Sequence, residues 1–91
     1  MLSLRYTSAF KKDLAKAKKR GQDLTLLKEV IEMLQKEQKL DDKYKDHELT
    51  GNMKGFRECH VSPDWLLIYK VEKSELVLVL TRTGSHSDLF R

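Results

Sequence analysis

Apolar positions along the chain form two helical stripes followed by three strand-like runs. The first residues, "SLRYT" at 3–7, are short and carry an aromatic and a β-branched residue, and a helix-start residue follows at Thr7 or Ser8, so a strand is expected there. Beyond it Phe10, Leu14 and Ala17 recur at i, i+4 and i+7, the stripe of a helix running to Arg20, with Gly21 as its left-handed cap. Asp23 is placed to cap a second helix, in which Leu24, Leu27, Val30, Ile31 and Leu34 keep helical spacing to about Gln38. The link between the two is very short, which predicts a helical hairpin with one shared apolar side.

After Leu40 the pattern breaks into "DDKYKDHELTGNMKG", polar, with two glycines and no period, a loop of the length that function often uses. Strands are predicted over 55–61, 65–71 and 76–83. Ser62-Pro63-Asp64-Trp65 suits a tight turn, because Pro63 fixes φ at its second position and Asp64 suits the third. Lys73-Ser74 is expected to turn the next hairpin. Both alternating sets of the last two strands are largely apolar, so these strands are central and covered on both faces. The helices cover one face; the long loop and the tail "GSHSDLFR" are the candidates for part of the other. The order strand, helix, helix, three strands gives an α+β class, helices on a small, mostly antiparallel sheet, as one domain over 1–91.

Charge adds a direction. Lys and Arg number 18 against 14 Asp and Glu, a formal excess of four, and residues 11–20 hold six cations and one anion. Such a helix either meets a polyanion or is a solvated face. No apolar run is long enough to span a bilayer and the first residues lack signal-peptide order, so a soluble cytoplasmic protein without membrane contact is expected. The lone Cys59 reads as a small apolar strand residue.

The three histidines, His47, His60 and His86, are far apart in sequence. Hairpin register brings them closer. With a two-residue turn at Lys73-Ser74, Val71 faces Leu76, Trp65 faces Arg82 and Asp64 faces Thr83, so the tail leaves the sheet beside the Pro63-Asp64 corner. The same count puts His60 beside Leu67, roughly 7 Å from that corner. His60, Asp64, Trp65, Arg82 and His86 are thus expected to converge, and the loop carrying His47 can reach them. A metal-binding signature is not evident: there is no H-x-H, HExxH or paired Cys. Ser85 and Ser87 sit in no nucleophile elbow. RNA cleavage by internal attack suits the set, since it needs a base, cations for the phosphate and an acid, and no cofactor. Each residue also has a plain structural reading, Asp64 as a turn residue and Trp65 and Phe90 as core, and a basic binding module or scaffold remains open at this point.

The blocks "YKDHELTG", "FRECHVSPDWLLIYK" and "RTGSHSDLF" closely resemble the YafQ branch of the RelE/ParE toxin superfamily, over nearly the whole chain. The resemblance implies a type II toxin, a ribosome-dependent endoribonuclease that cuts mRNA in the A site and is silenced by a cognate antitoxin. It carries active-site positions onto His47, His60, Asp64, Trp65, His86 and Phe90. It implies His86 as general acid, His60 as general base, Asp64 orienting an imidazole or sharing the base role, and His47 binding phosphate or steering substrate. Arg82 is expected on the phosphate, Trp65 and Phe90 stacking on bases or shaping the pocket, and Lys54 and Arg57 among the RNA contacts. Lys11, Lys12, Lys16 and Lys18 would track ribosomal RNA. The family's gyrase-directed wing shares the fold, so fold alone leaves a ParE-like or non-catalytic toxin as the alternative.

Overall fold

The computed structural model describes residues 1–90; Arg91, the last residue of the expected tail, lies outside the described residues. The chain runs β1 (Ser3–Tyr6), α1 (Ser8–Lys19), α2 (Leu24–Gln35), β2 (His47–Glu48), β3 (Arg57–Ser62), β4 (Trp65–Glu72), β5 (Val77–Gly84) and α3 (His86–Leu89). The five strands form one sheet in the order β1-β5-β4-β3-β2, antiparallel except for the parallel β1–β5 pair. Among the described residues no helix is long and apolar enough to cross a membrane.

Local chemistry explains the helix limits. Thr7 accepts from the Phe10 N–H at 2.9 Å and donates to the Thr81 carbonyl at 2.7 Å, so one side chain both starts α1 and ties it to β5. At its end Gln22 N–H reaches the Ala17 carbonyl and Gly21 N–H the Lys18 carbonyl, with Gly21 at φ +78°, the left-handed cap expected. The second helix stops three residues short of the expected end. The same pair of bonds, Gln38 N–H to Met33 and Glu37 N–H to Leu34, closes it with Glu37 at φ +58°. No glycine marked this stop, which is why spacing alone overran it.

One side of the sheet packs on the hairpin: Phe10 and Ala17 of α1 and Leu27, Val30 and Leu34 of α2 meet Cys59, Val61, Trp65, Leu67, Tyr69, Leu78 and Leu80. Each large apolar side chain so buried contributes roughly 1.5–3 kcal/mol. By strand alternation Glu58, His60, Leu66 and Ile68 face the other way. Leu66 and Ile68 are nonetheless buried, Leu66 lying between His60 and Gly84 across the neighbouring strands, and Ile68 between Glu58 and Arg82.

Three expectations about connections are corrected. The turn after β4 is longer than two residues: Glu72 pairs with Val77, and Leu76 takes φ +56°. Val71 therefore faces Leu78 and not Leu76. Further along, the register slips again, Tyr69 pairing with Leu80 but Ile68 with Arg82, so that Thr81 is an extra residue, a bulge. The bulge moves Arg82 off the core face and brings Thr83 onto it. The last correction concerns the long loop, which contains short 3-10 turns at Asp42–Tyr44 and Gly51–Met53 and the two-residue strand β2.

Candidate active site

The sheet face away from the hairpin collects the histidines. Glu58 and His60 stand two apart on β3 and so project to the same side. Beside them β2 pairs His47 with Glu58. Lys45, left-handed at φ +50°, turns the chain into β2, and its carbonyl accepts the His47 Nδ1–H at 2.8 Å. That bond fixes the tautomer and leaves Nε2 aimed at the site. His47 Nε2 lies 3.6 Å from Glu58 Oε1, and His60 Nε2 lies 4.0 Å from the same oxygen. Glu58 is only 5% exposed, so a buried carboxylate stands between two imidazoles.

The fourth member comes from the tail. Continuing the observed β4–β5 register two places past Leu66↔Gly84 sets His86 opposite Asp64. Asp64 Oδ1 accepts both the His86 backbone N–H and its Nδ1–H, each at 3.2 Å. These bonds hold the Asp64 carboxyl below its usual range, the imidazole contributing most. They also leave His86 Nε2 as the nitrogen free for chemistry. The rings of His60 and His86 are 5.8 Å apart, and Phe90, exposed, sits 6.5 Å from His86.

Helix α3 has only four residues and cannot hold itself. A capping box does part of the work: Ser85 Oγ accepts the Asp88 N–H, and the Asp88 carboxylate accepts the Ser85 N–H at 3.0 Å. The same carboxylate takes Arg20 Nη1 at 2.7 Å, Nη2 at 3.3 Å and Lys16 Nζ at 3.3 Å. Arg20 above all, with these other donors, keeps the Asp88 carboxyl far below the ordinary range. A Cβ on Gly84 would stand 3.0 Å from Asp88, so the tail's close return needs glycine there.

A scan against protein families matches residues 2–91 to the bacterial toxin of type II toxin-antitoxin systems, YafQ. The chain belongs to the YafQ toxin family. It is 41% identical over 88 residues to the mRNA interferase toxin YafQ of Escherichia coli K12, covering 96% of this chain and 94% of that one. In three dimensions it is similar to a metal-bound toxin from Helicobacter pylori, at TM-score 0.94, 51% identity and coverage of 99% and 100%. It is also similar to YafQ in the E. coli DinJ–YafQ complex, at TM-score 0.89, 39% identity and full coverage of both chains.

Within this YafQ-family fold the expected residues divide. His47, His60, Asp64 and His86 come together as described. Trp65 does not face RNA: it is 2% exposed, and its Nε1–H donates to Thr83 Oγ1 at 2.9 Å, whose hydroxyl donates to the Leu66 carbonyl at 2.7 Å. Base stacking by Trp65 is therefore ruled out, and it supports the tail from below. Arg82 turns to α1, its Nε 2.6 Å and Nη2 3.1 Å from the Asp13 carboxylate, which also accepts the Thr83 N–H. Arg57 alternates to the helix side of β3 and binds Asp46, which also accepts from the Tyr69 hydroxyl. Lys54 is exposed in the turn before β3, and Lys11, Lys12 and Lys18 are exposed on α1, whereas Lys16 is engaged with Asp88.

Sequence reasoning missed Glu58. The signal was available in "ECH": a carboxylate and an imidazole two apart on a strand share a face. One carboxylate oxygen of Glu58 and one ring nitrogen each of His60 and His86 lie within 4.8 Å of one another, a donor set that fits a borderline transition metal. Also unanticipated is a cavity of about 520 Å³ beside His60, lined by Lys43, Tyr44, Lys45, Val61 and Pro63 among others.

Proposed function

We propose that this chain is the toxin of a type II toxin-antitoxin pair and an mRNA interferase acting on translating ribosomes. The observation that carries this is the cluster of His47, Glu58 and His60 facing His86 across the sheet surface. RNA cleavage would proceed by attack of a 2′-hydroxyl on its own phosphate. The 2′-O–P bond forms as the P–O5′ bond breaks, leaving a 2′,3′-cyclic phosphate and a 5′-hydroxyl. His60, more open to solvent than Glu58, takes the hydroxyl proton, and the Glu58 carboxylate behind it stabilises the imidazolium. His86, oriented through Nδ1 by Asp64, gives its Nε2 proton to the departing oxygen. His47, with Nδ1 committed to a carbonyl, offers Nε2–H to the phosphate when protonated. Water then returns His60 and His86 to their starting states. This route needs no metal.

The cavity beside His60, with Lys43 and Lys45 on either side of Tyr44, would take the adjoining nucleotide, cations meeting phosphate and the ring meeting a base. A cognate antitoxin is the partner that keeps such an enzyme silent, and the cytoplasm is where both it and the ribosome are found. The test is primer extension on a reporter mRNA in reconstituted translation at millimolar Mg²⁺, with and without ribosomes, for wild type and His86→Gln. Ribosome-dependent cuts with cyclic-phosphate ends are expected, reduced about 10²- to 10⁴-fold in the variant. Uncut message with folded wild-type protein would overturn the reading.

A further inference from the structure

Three elements wall the cavity of about 520 Å³ beside His60, a size that suits one small planar group. From α2 come Leu26 and Glu29, at i and i+3 and so on one helix face. The 3-10 turn at Asp42–Tyr44, packed beside β3, brings Lys43 and Tyr44, and the end of β3 brings His60. Strand β2 pairs with Arg57 and Glu58 and stops there, which leaves the later part of the β3 edge to this hollow. Tyr44 packs against the core, which fixes its ring, and Lys43 Nζ lies 5.1 Å from the ring centroid. Leu26 is 39% exposed, an apolar side chain left open to solvent. An aromatic face, an open apolar side chain and cations together take a nucleobase and its phosphate. Glu29 is the exception, a carboxylate in a wall that otherwise suits an anion.

We propose that Tyr44 and Glu29 form the specificity pocket for the base 5′ of the cut, Tyr44 stacking on it and Glu29 accepting from its edge. The inference rests on the nuclease reading above. Chain polarity decides which nucleotide is held. The attacking 2′-hydroxyl belongs to the nucleotide 5′ of the cut, and the departing 5′-oxygen to the nucleotide 3′ of it. His60 meets the first and His86 the second, their rings 5.8 Å apart. Among the described residues the cavity walls include His60 but neither His86 nor Phe90, and Phe90 stands 6.5 Å from His86. The 5′ base therefore enters the cavity, while the 3′ base lies toward Phe90. A carboxylate accepts from the exocyclic amino group of adenine, cytosine or guanine. Uracil has no amino group, and its one N3–H is flanked by carbonyl oxygens, which set lone pairs against the charge of Glu29 as water is displaced. The pocket thus discriminates against U and accepts A, C and G.

The test maps the cut made by the full chain on a reporter mRNA in the same translation assay. One set of messages then changes only the nucleotide 5′ of the cut to A, C, G or U, a second set only the nucleotide 3′ of it, and initial rates are read by primer extension. Wild type should cut messages with A, C or G at the 5′ position about fivefold or more faster than those with U. Glu29→Gln, whose amide can also donate to a carbonyl oxygen, should bring the four rates within about twofold of one another. Glu32→Gln, exposed on α2 but outside this cavity, should keep the wild-type order. Tyr44→Leu should raise KM on every message by about fivefold or more, and Tyr44→Phe, which keeps the stacking face, should restore it. Because Tyr44 also packs on the core, the Glu29 series decides the matter if Tyr44→Leu does not fold. Equal wild-type rates on all four messages, discrimination unchanged in Glu29→Gln, a Glu29-dependent preference that follows the 3′ nucleotide, or a folded Tyr44→Leu with unchanged KM would overturn the pocket and leave the nuclease standing. If folded wild type cuts no message, the nuclease reading falls and the pocket falls with it.

Discussion

Asp88 holds His86 in place without touching the reaction, and removing it should separate folding from activity. Asp88→Ala deletes two contributions. The first is the charge-assisted set to Arg20 and Lys16, which solvent screens at both exposed cations. The second is one half of the capping box, the Ser85 N–H bond to the carboxylate, worth about 1 kcal/mol; the bond from the residue-88 N–H to Ser85 Oγ remains. At about 1.4 kcal/mol per decade, loss of the Ser85 N–H bond alone should raise the undocked population about fivefold, and loss of the cation set should raise it further. Because α3 makes no intrinsic helix of its own, what then opposes release is chiefly the exposed pair of bonds from His86 to Asp64. The rest of the fold does not depend on it: the core lies between the sheet and the helical hairpin.

The chain carries one tryptophan, and Trp65 lies under the tail, lining a small cavity with Arg20, Ser85 and Asp88. Its emission should shift to the red in Asp88→Ala while far-ultraviolet dichroism stays near wild type and cleavage falls. Arg20→Gln should reproduce the effect in part, and the double variant should be less than additive. Acid gives an independent check. A carboxyl whose folded pKa is depressed contributes stability that is present above its unfolded value, near ~3.9, and is lost as pH falls through the folded value. Wild-type Trp65 emission should therefore hold through neutral and weakly acidic pH and change only well below ~3.9, whereas Asp88→Ala should show the released spectrum already at neutral pH. Unchanged emission together with unchanged cleavage in Asp88→Ala would refute the claim that this pair positions His86.

Further expectations follow from single contacts. Burial pushes the Cys59 thiol up to about 12, so iodoacetamide at pH 8 should label it only after unfolding, as mass spectrometry would show. Leu76 is 62% exposed at φ +56°, and Leu76→Gly should relieve strain and raise the denaturation midpoint by an amount equivalent to about 0.5–1 kcal/mol. Asp46→Asn weakens the bonds from Arg57 and Tyr69 and should lower stability by about 1–3 kcal/mol in urea titration. Replacing Lys11, Lys12 and Lys18 by Gln should weaken ribosome binding and flatten its salt dependence; Lys16→Gln should in addition shift Trp65 emission, because it alone of the four also holds the tail.

How far the sequence could be read depends on whether the information was local. Helix caps at Thr7, Asp23 and Gly21 were legible because a single residue type and its neighbours decide them. The stop at Glu37 was not, since a residue without a turn preference adopts the left-handed conformation there. Register failed for a similar reason: the turn at Leu76 and the bulge at Thr81 carry no glycine, and each displaces the count. The meeting of Asp64 with His86 was still anticipated in outline, because a register error of a few residues moves a tail along a strand without carrying it to another corner. Face assignment is less forgiving. Slipping by one residue exchanges the two sides of a sheet: with His60 opposite Leu66 and not Leu67, Trp65 lies on the hairpin side and not beside His60.

Glu58 shows the opposite case, a residue whose position was legible and whose chemistry was not. It lies two places before His60 on a strand already recognised, so its face was fixed; yet a buried carboxylate gains meaning only from what surrounds it. On its own it would be a destabilising group in an apolar sheet. With His47 at 3.6 Å and His60 at 4.0 Å it becomes a negative charge that two imidazoles can answer, and the strand that buries it also keeps it from solvent. Glu58→Gln tests this: it should retain the fold and the His60–His86 spacing and slow cleavage by removing the group that stabilises a protonated His60. A Glu58→Gln variant that cleaved at the wild-type rate would show that His60 works without it.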